Sequence, residues 1–557
     1  MSAPGAARVR EAALDLRGSA AAAAVLVRER LVEPTRPLDT LRTARDTERL
    51  GPVAAVVRRG ARRHPDAVAL LDDDGELTYG ALDAASEALA QELLAVLPED
   101  RPLGAPSVVG LLARDHRGAV VALGAAGLVG LRVVLLNTGS AAPQLAAVLE
   151  REGVALVLHD EGSASVVAEA LGSSPAPRPG ALLLDGAEGF LARAAADPRR
   201  QRSPLPLPRR SGGLVVMTSG TTGVPKGAPR GRVSPLQSAQ VLDRLPFPRG
   251  GTVVMAAPVF HGTGLSQLVL ALAAGCRVVL ARRFDAARCR DTIAATRADA
   301  LVLVPTMLHR LLALDPDPAA LASLTRVYAA GSVLPADLCR RTHALLGPVL
   351  HNMYGSTEVG VAAVARPDEL ALAPGCVGRP PAGARIRVLD ADRRPVARGE
   401  RGTIFVRSLL AFGGYTDGSG KEVVDGYVST GDVGHVDAHG LLHVDGREDD
   451  MIVSGGENVM PGRVEALLAA HPDVDEAVVV GVPDEEFGQR LRAVVVPRPG
   501  SAPDPDALRA LARERLARHE VPREVWIVDV LPRNATGKVL RRLLVAAASP
   551  ADVVPPG

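Results

Sequence analysis

A chain of 557 residues, 47% hydrophobic and 23% charged, is globular and long enough for two or more domains. With 64 Lys and Arg against 63 Asp and Glu, the net charge of +1 leaves no electrostatic footprint for nucleic acid or an anionic membrane surface. Four scattered cysteines, Cys276, Cys289, Cys339 and Cys376, form no C-x-x-C pair; they argue against a disulfide framework or a zinc site and fit a reducing cytoplasm.

Residues 1–50 form an N-terminal extension rich in Arg and Ala with helical spacing. The Ala-rich stretch Ser19–Val27 is too short for a secretory signal, and Arg28, Glu29 and Arg30 follow it without a cleavage pattern, so a surface helix is expected. From Val53 onward, apolar runs alternate with helical patterns. Ala67–Leu71 and Leu77–Tyr79 read as strands around a turn at Asp72–Gly75, and Gly80–Leu97 as an amphipathic helix stopped by Pro98. Val108–Leu112, Val133–Leu136, Ala155–Leu158, Leu214–Met217, Thr252–Ala256, Arg277–Leu280 and Ala300–Val304 continue the series, which is the mark of a parallel sheet with crossover helices. Arg199–Arg210, rich in Pro and Arg, reads as a linker. Gly250 to Cys276 carries no Asp, Glu, Lys or Arg, enough to span a membrane, but Pro258, His261 and Gly264 interrupt it; a strand, a loop and a buried helix are expected.

After Pro374 short strands dominate: Arg385–Leu389, Gly402–Val406 and Leu441–Val444, as in a small antiparallel sheet or barrel. Gly446–Asp450 is a charged turn. Beyond it Pro461–Ala470 reads as helix, Glu476–Val480 and Leu491–Val496 as strands, Asp504–Arg518 as helix and Val525–Val528 as strand, which makes a separate α+β unit. His435, His439 and His443 fit a solvent-facing hairpin around Gly440, not a metal site.

Only Lys226, Lys421 and Lys538 are lysines, and only Asn137, Asn352, Asn458 and Asn534 are asparagines. In so Arg-rich a chain the surviving lysines mark places where a compact point charge is needed and a planar fork fails. Lys226 closes the loop Thr218-Ser219-Gly220-Thr221-Thr222-Gly223-Val224-Pro225-Lys226-Gly227, directly after an apolar run. Its glycines let the backbone approach a ligand, and its hydroxyls and amides suit phosphate oxygens. It is not a Walker A loop, for Gly-Lys-Ser/Thr is missing.

That loop resembles the phosphate loop of the adenylate-forming superfamily, which includes acyl-CoA synthetases, non-ribosomal adenylation domains and luciferases. Tyr354-Gly355-Ser356-Thr357-Glu358, Ser429-Thr430-Gly431-Asp432, Gly446–Asp450 and Pro532-Arg533-Asn534-Ala535-Thr536-Gly537-Lys538 are similar to further motifs of that family, in family order. The resemblance implies an α/β fold: a large N-terminal domain of two αβα layers plus a small β-barrel, with a smaller mobile α+β C-terminal domain. It divides the chain into an adenylation domain at 51–446, a hinge at 447–450, a lid domain at 451–546 and a tail at 547–557.

It also implies the chemistry. A carboxylate attacks the α-phosphorus of ATP, and the acyl-adenylate then passes to coenzyme A, giving acyl-CoA, AMP and pyrophosphate. Such a displacement needs positioning and charge neutralisation more than covalent help. Thr218, Ser219, Gly220, Thr221, Thr222, Gly223 and Lys226 are expected to hold the phosphates, with Glu358, and Thr218 beside it, serving Mg²⁺. Thr357 is expected on the α-phosphate, Tyr354 and Gly355 at the adenine, Asp432 and Arg447 on the ribose, and Lys538 on the charge that develops in adenylation. Asp449 takes the hinge position, and Ser454, Gly455, Gly456, Glu457 and Asn458 resemble the loop facing coenzyme A. Arg463 stands where many relatives carry an acidic residue, which leaves its local contacts open.

By the same resemblance His261, Val304, Ala330, Gly331, Met353 and Val359 border the acyl pocket. With no charged selector there, an aliphatic acid is expected, of medium or long chain; the soft similarity of the 114–117 and 133–139 segments is to actinobacterial fatty-acyl-CoA synthetases. The alternatives are an enzyme that loads a carrier protein and an inactive nucleotide- or acyl-binding protein. The expected partners are small molecules (the acid, ATP and coenzyme A), with no nucleic acid and no transmembrane segment.

Overall fold

The computed structural model describes residues 18–29, 31–97, 106–173, 178–196, 204–218, 225–230, 235–454, 457–484, 488–534 and 537–553. Its frame is two large sheets. The first has eight strands in the order Gly360–Ala365, Leu350–Ser356, Arg326–Ala330, Ala300–Leu303, Thr252–Met255, Arg277–Leu280, Val68–Asp72 and Gly75–Thr78. The second has six: Gly180–Leu183, Leu156–His159, Val108–Leu112, Arg132–Leu135, Leu214–Thr218 and Lys226–Arg230. Both are parallel inside and antiparallel only at edges, where Gly360–Ala365, Gly75–Thr78 and Lys226–Arg230 fold back on their neighbours.

Strand periodicity explains the layering. Successive side chains point to opposite faces, so Val133 and Val253 enter one large core while Val134 and Val254 enter the cores on the outer faces. The shared core is filled from both sheets and by the helix Arg117–Leu128, whose residues are nearly all buried. Because both faces of each sheet are covered, the strands are continuous apolar runs, and this made them readable. The charge-free stretch splits as expected, into the strand Thr252–Met255 and the helix Gly262–Ala273. No described helix is long and apolar enough to cross a membrane.

Residues 18–28 are helical, with Ala22, Val25 and Leu26 turned into the shared core, so this helix is packed on one side. Pro37–Leu50 of the expected extension is a second helix; residues 1–17 and Arg30 lie outside the described residues, as does part of the expected linker.

The half-barrel is built from Arg385–Leu389, Gly402–Arg407 and Tyr427–Val436, with Val423–Val424 and Leu442–Arg447 pairing on the last long strand. The C-terminal unit places Gly488–Pro497 at the centre of a sheet with Val474–Asp484, Ile452–Ser454, Glu457–Val459 and Glu524–Ile527, backed by the helices Pro461–Ala469 and Pro505–Arg515.

Two sequence expectations need correction. Arg447 is not in a turn: it ends the strand Leu442–Arg447, and the turn is a 3₁₀ segment, Glu448–Asp450. His435 and His443 do face each other across a hairpin, with rings stacked 5.0 Å apart. They are half-buried and partnered by carboxylates, not simply solvated: His435 lies 3.1 Å from Asp445, and His443 3.1 Å from Asp437. The Arg463 side chain pairs with Glu520 at 3.2 Å.

Candidate active site

Three motif segments meet at the edges of both sheets and the half-barrel. Thr218 ends one strand and Lys226 begins its antiparallel partner; they are paired in register, and the Thr218 hydroxyl donates to the Lys226 carbonyl at 3.2 Å. Ser219, Gly220, Thr221, Thr222 and Gly223, between them, lie outside the described residues. Tyr354, Gly355 and Ser356 end the strand Leu350–Ser356, and Thr357 and Glu358 lie in the bend that leads to Gly360–Ala365. A side chain at Gly355 would collide with the Gly360 carbonyl, so only glycine fits that bend.

Asp432 and Arg447 sit opposite each other on neighbouring half-barrel strands, 3.6 Å apart. Tyr354 donates its hydroxyl to Asp432 at 2.5 Å, which ties the second motif to the third. Asp432 is only 8% exposed. Burial raises its carboxyl above the usual carboxylate range, although the Tyr354 hydroxyl and the charges of Arg447 and Lys538 oppose this.

A segment that the motifs do not mark completes the site. Lys226 Nζ donates to Ser419 Oγ at 3.0 Å, lies 3.2 Å from Asp417 and stands over the Tyr415 ring at 5.4 Å. Hydrogen bonds from Ser419, with the Lys226 charge behind them, hold the Asp417 carboxyl at about 2. Tyr415 in turn donates to Glu358 Oε1 at 2.5 Å, and the Thr416 amide to the Gly227 carbonyl at 2.9 Å. Residues 415–419 thus strap the phosphate loop to Glu358. Nothing but Tyr, Thr, Asp, Gly and Ser marks this segment in the sequence, which reads as an ordinary turn. Arg230, half-buried, donates to the carbonyls of Thr357 and Leu410 and fixes the bend from below.

Burial works against ionisation of Glu358, but hydrogen bonds from Tyr415 and Ser356 and the charge of Lys421 outweigh it, so its carboxyl lies below the usual range. It is therefore an anionic oxygen donor of the kind Mg²⁺ takes alongside phosphate oxygens, and the site fits that ion.

Lys538 arrives from the C-terminal unit. Asn534 Oδ1 accepts from the Lys538 amide at 2.9 Å, and the Asn534 amide donates to the Lys538 carbonyl at 2.9 Å. Gly537 has φ +77°, and a Cβ there would lie 2.5 Å from Thr306 Oγ1, so the turn is seated against the N-terminal domain. His309 on the same helix, Pro305–Leu312, pairs across the boundary with Asp475 at 3.2 Å. Thr536 lies outside the described residues.

The expected acyl-pocket residues are only partly gathered. Ala330 and Met353 belong to the shared core, and Val304 lies 3.5 Å from where a Gly331 Cβ would stand. His261 precedes the helix Gly262–Ala273, its ring tilted at 45° to that of Phe260 with centroids 4.4 Å apart; burial pushes its imidazole down to about 4, so it is neutral. Val359 is set apart, since it packs in the half-barrel core with Val377 and Ile404. Ser454 and Glu457 pair across a hairpin; Gly455 and Gly456 lie outside the described residues, as do the side chains of Glu457, Asn458 and Asp449.

Two sheets, a half-barrel and a docked α+β unit, with lysines converging on acidic and hydroxyl groups, make a protein built to handle a nucleotide's phosphates. Comparison with known proteins agrees. The AMP-binding enzyme family matches residues 57–416, and the AMP-binding enzyme C-terminal domain matches residues 463–538. The indoleacetate–CoA ligase of Aromatoleum aromaticum is 37% identical over 334 residues, 58% of this chain and 65% of that protein. The fatty acid–[acyl-carrier-protein] ligase ScoC of Streptomyces coeruleorubidus is 30% identical over 87% of this chain and 94% of that protein. Among solved structures, ATP-bound MatB from Rhodopseudomonas palustris superposes with a TM-score of 0.76 at 28% identity, covering 88% of this chain and 98% of that one.

The chain belongs to the AMP-binding enzyme family, within the adenylate-forming superfamily. It is an AMP-forming acid–thiol ligase that works on small molecules with ATP, Mg²⁺ and coenzyme A.

Glu358→Gln is expected to keep the fold and the Tyr415 contact but to raise the Mg²⁺ concentration needed for adenylation. Pyrophosphate release titrated with Mg²⁺ checks this; a wild-type curve at limiting Mg²⁺ removes Glu358 from the metal's shell.

Proposed function

We propose that the chain activates a medium- or long-chain fatty acid to its acyl-adenylate and transfers the acyl group to coenzyme A. The observation that carries this reading is the convergence of Lys226, Glu358, Asp432 and the docked Lys538 turn from four separate segments. Lys226 and the Thr218–Gly223 loop hold the phosphates, and Tyr354, Gly355, Asp432 and Arg447 hold the nucleoside. Thr357 and Lys538 meet the α-phosphate as the carboxylate oxygen bonds to phosphorus and pyrophosphate leaves with the electron pair. Glu358, with Thr218 beside it, would hold Mg²⁺, which neutralises phosphate charge. Residues 447–450 serve as the hinge at Asp449, and Ser454–Asn458 face coenzyme A once the C-terminal unit turns.

The acid is read from the apolar character of Val304, Ala330, Gly331 and Met353 and from the neutral His261, which offer no partner for an ammonium. The named substrates of the two relatives differ, one an indole acid and the other a fatty acid, so the pocket decides. The relative named for a carrier-protein acceptor makes such an acceptor the second reading. Four buried cysteines outside any disulfide support a place in the cytoplasm, and a fatty-acid substrate would give the enzyme a role in fatty-acid metabolism there.

Pyrophosphate release across a panel of fatty, aryl and amino acids, with and without coenzyme A, tests the reading. Thioester formation with medium or long chains is the expected result. A strong preference for an aryl or amino acid overturns the substrate, and adenylation without thioester formation overturns the acceptor.

A further inference from the structure

Lys421 is the one lysine of three to which no motif gives a task. It lies just beyond the 415–419 strap. The Ser429 amide donates to the Glu422 carbonyl at 2.9 Å, which pins the backbone beside Lys421 to the strand carrying Asp432. Its side chain is half-buried. A Cβ built on Gly431 would stand 3.6 Å from Lys421 Nζ and 3.3 Å from Arg447 Nη2. Two cations therefore converge over a backbone position where no side chain intervenes. Lys421 is also close enough to act on Glu358.

The two strap-side lysines differ in occupancy. Lys226 is neutralised by Asp417 and shared with Ser419. Lys421 has neither a hydrogen bond nor an ion pair among the described residues. A half-buried ammonium without an acceptor is costly, and two neighbouring cations repel; an anion arriving between them relieves both costs.

We propose that Lys421 is a direct contact of the nucleotide's phosphate chain, beside Lys226. This rests on reading the site as one for Mg²⁺-ATP. It assigns a substrate-binding role to a residue in a segment that reads as a plain turn, and it makes the strap part of the binding machinery.

The test is calorimetric binding of ATP, with Mg²⁺ and without acid, to the full chain, beside competition by adenosine, which has no phosphate. Lys421→Gln is expected to weaken ATP roughly ten- to hundredfold, the worth of one charge-assisted contact, and to leave adenosine unchanged. Lys421→Arg, which keeps the charge, is expected to lose less. Unchanged ATP affinity in Lys421→Gln overturns the proposal. So does equal weakening of ATP and adenosine, since that would make Lys421 a structural support. If the wild type binds ATP but releases no pyrophosphate with any acid, the proposed function fails while the Lys421 result stands on its own.

Discussion

Lys538→Arg is expected to adenylate its acid nearly as slowly as Lys538→Ala. The turn Asn534–Lys538 is closed by paired hydrogen bonds and seated by Gly537 against Thr306, so the backbone that carries the charge is fixed. Lys538 already acts on buried Asp432 across the domain boundary. In so set a geometry the side chain alone must aim the charge, and a guanidinium fork is broader than an ammonium. Losing one aimed charge costs about 3–4 kcal/mol, on the order of a hundredfold or more in rate. Thioester formation from supplied acyl-adenylate and coenzyme A is expected to be spared. Wild-type adenylation by Lys538→Arg would refute the compact-charge argument, and equal loss in both half-reactions would refute the two-conformation scheme.

Asp449→Pro is expected to separate the half-reactions from the other side. Residue 449 sits inside the 3₁₀ segment Glu448–Asp450, flanked by the half-barrel strand Leu442–Arg447 and by Ile452–Ser454 of the C-terminal unit. The flanks are tied down: Arg401 pairs with Asp445 at 3.0 Å, and Arg541 with Asp450 at 3.6 Å. Proline fixes φ near −65° and restricts the residue before it, which suits a 3₁₀ turn and blocks rotation out of it. Adenylation should persist while thioester formation falls by at least the same order as above. Both are read from one enzyme preparation, as pyrophosphate release and as coenzyme A consumption. Parallel loss in a folded protein would move the hinge elsewhere.

Most of the buried parallel strands could be read from sequence because they are apolar on both faces, and the ends of those read fall within a residue or two of expectation; Gly180–Leu183 and Arg326–Ala330 were not among them. The strands that carry the chemistry could not. Tyr427–Val436 contains Ser429, Thr430, Gly431, Asp432 and Gly434, residues that read as a turn, yet it is the longest strand of the half-barrel, with a register shift next to Asp432. Leu350–Ser356 runs straight into its motif and was equally hidden. Function has put polar and glycine residues where strand patterning would put Val and Ile, so local pattern and fold disagree at the site. Lys226, Glu358, Asp432 and Lys538 were visible through their motifs. The 415–419 strap was not, because its meaning lies in contacts with residues far away in the chain. Asparagine scarcity proved less informative: Asn352 is buried, donating to the Cys376 carbonyl at 2.9 Å, and Asn137 shapes a turn at Gly139.

Val304 has one methyl, Cγ1, 3.5 Å from the Cβ position of Gly331, at the proposed pocket, and the other, Cγ2, 3.7 Å from that of Gly537, in the lysine turn. It also caps the helix that presents Thr306 and His309 to the C-terminal unit. A single side chain thus stands between the proposed pocket and the turn that carries Lys538. If the acid enters beside Gly331, one that displaces Val304 is expected to unseat the Lys538 turn too, and so to lose rate of activation as well as affinity.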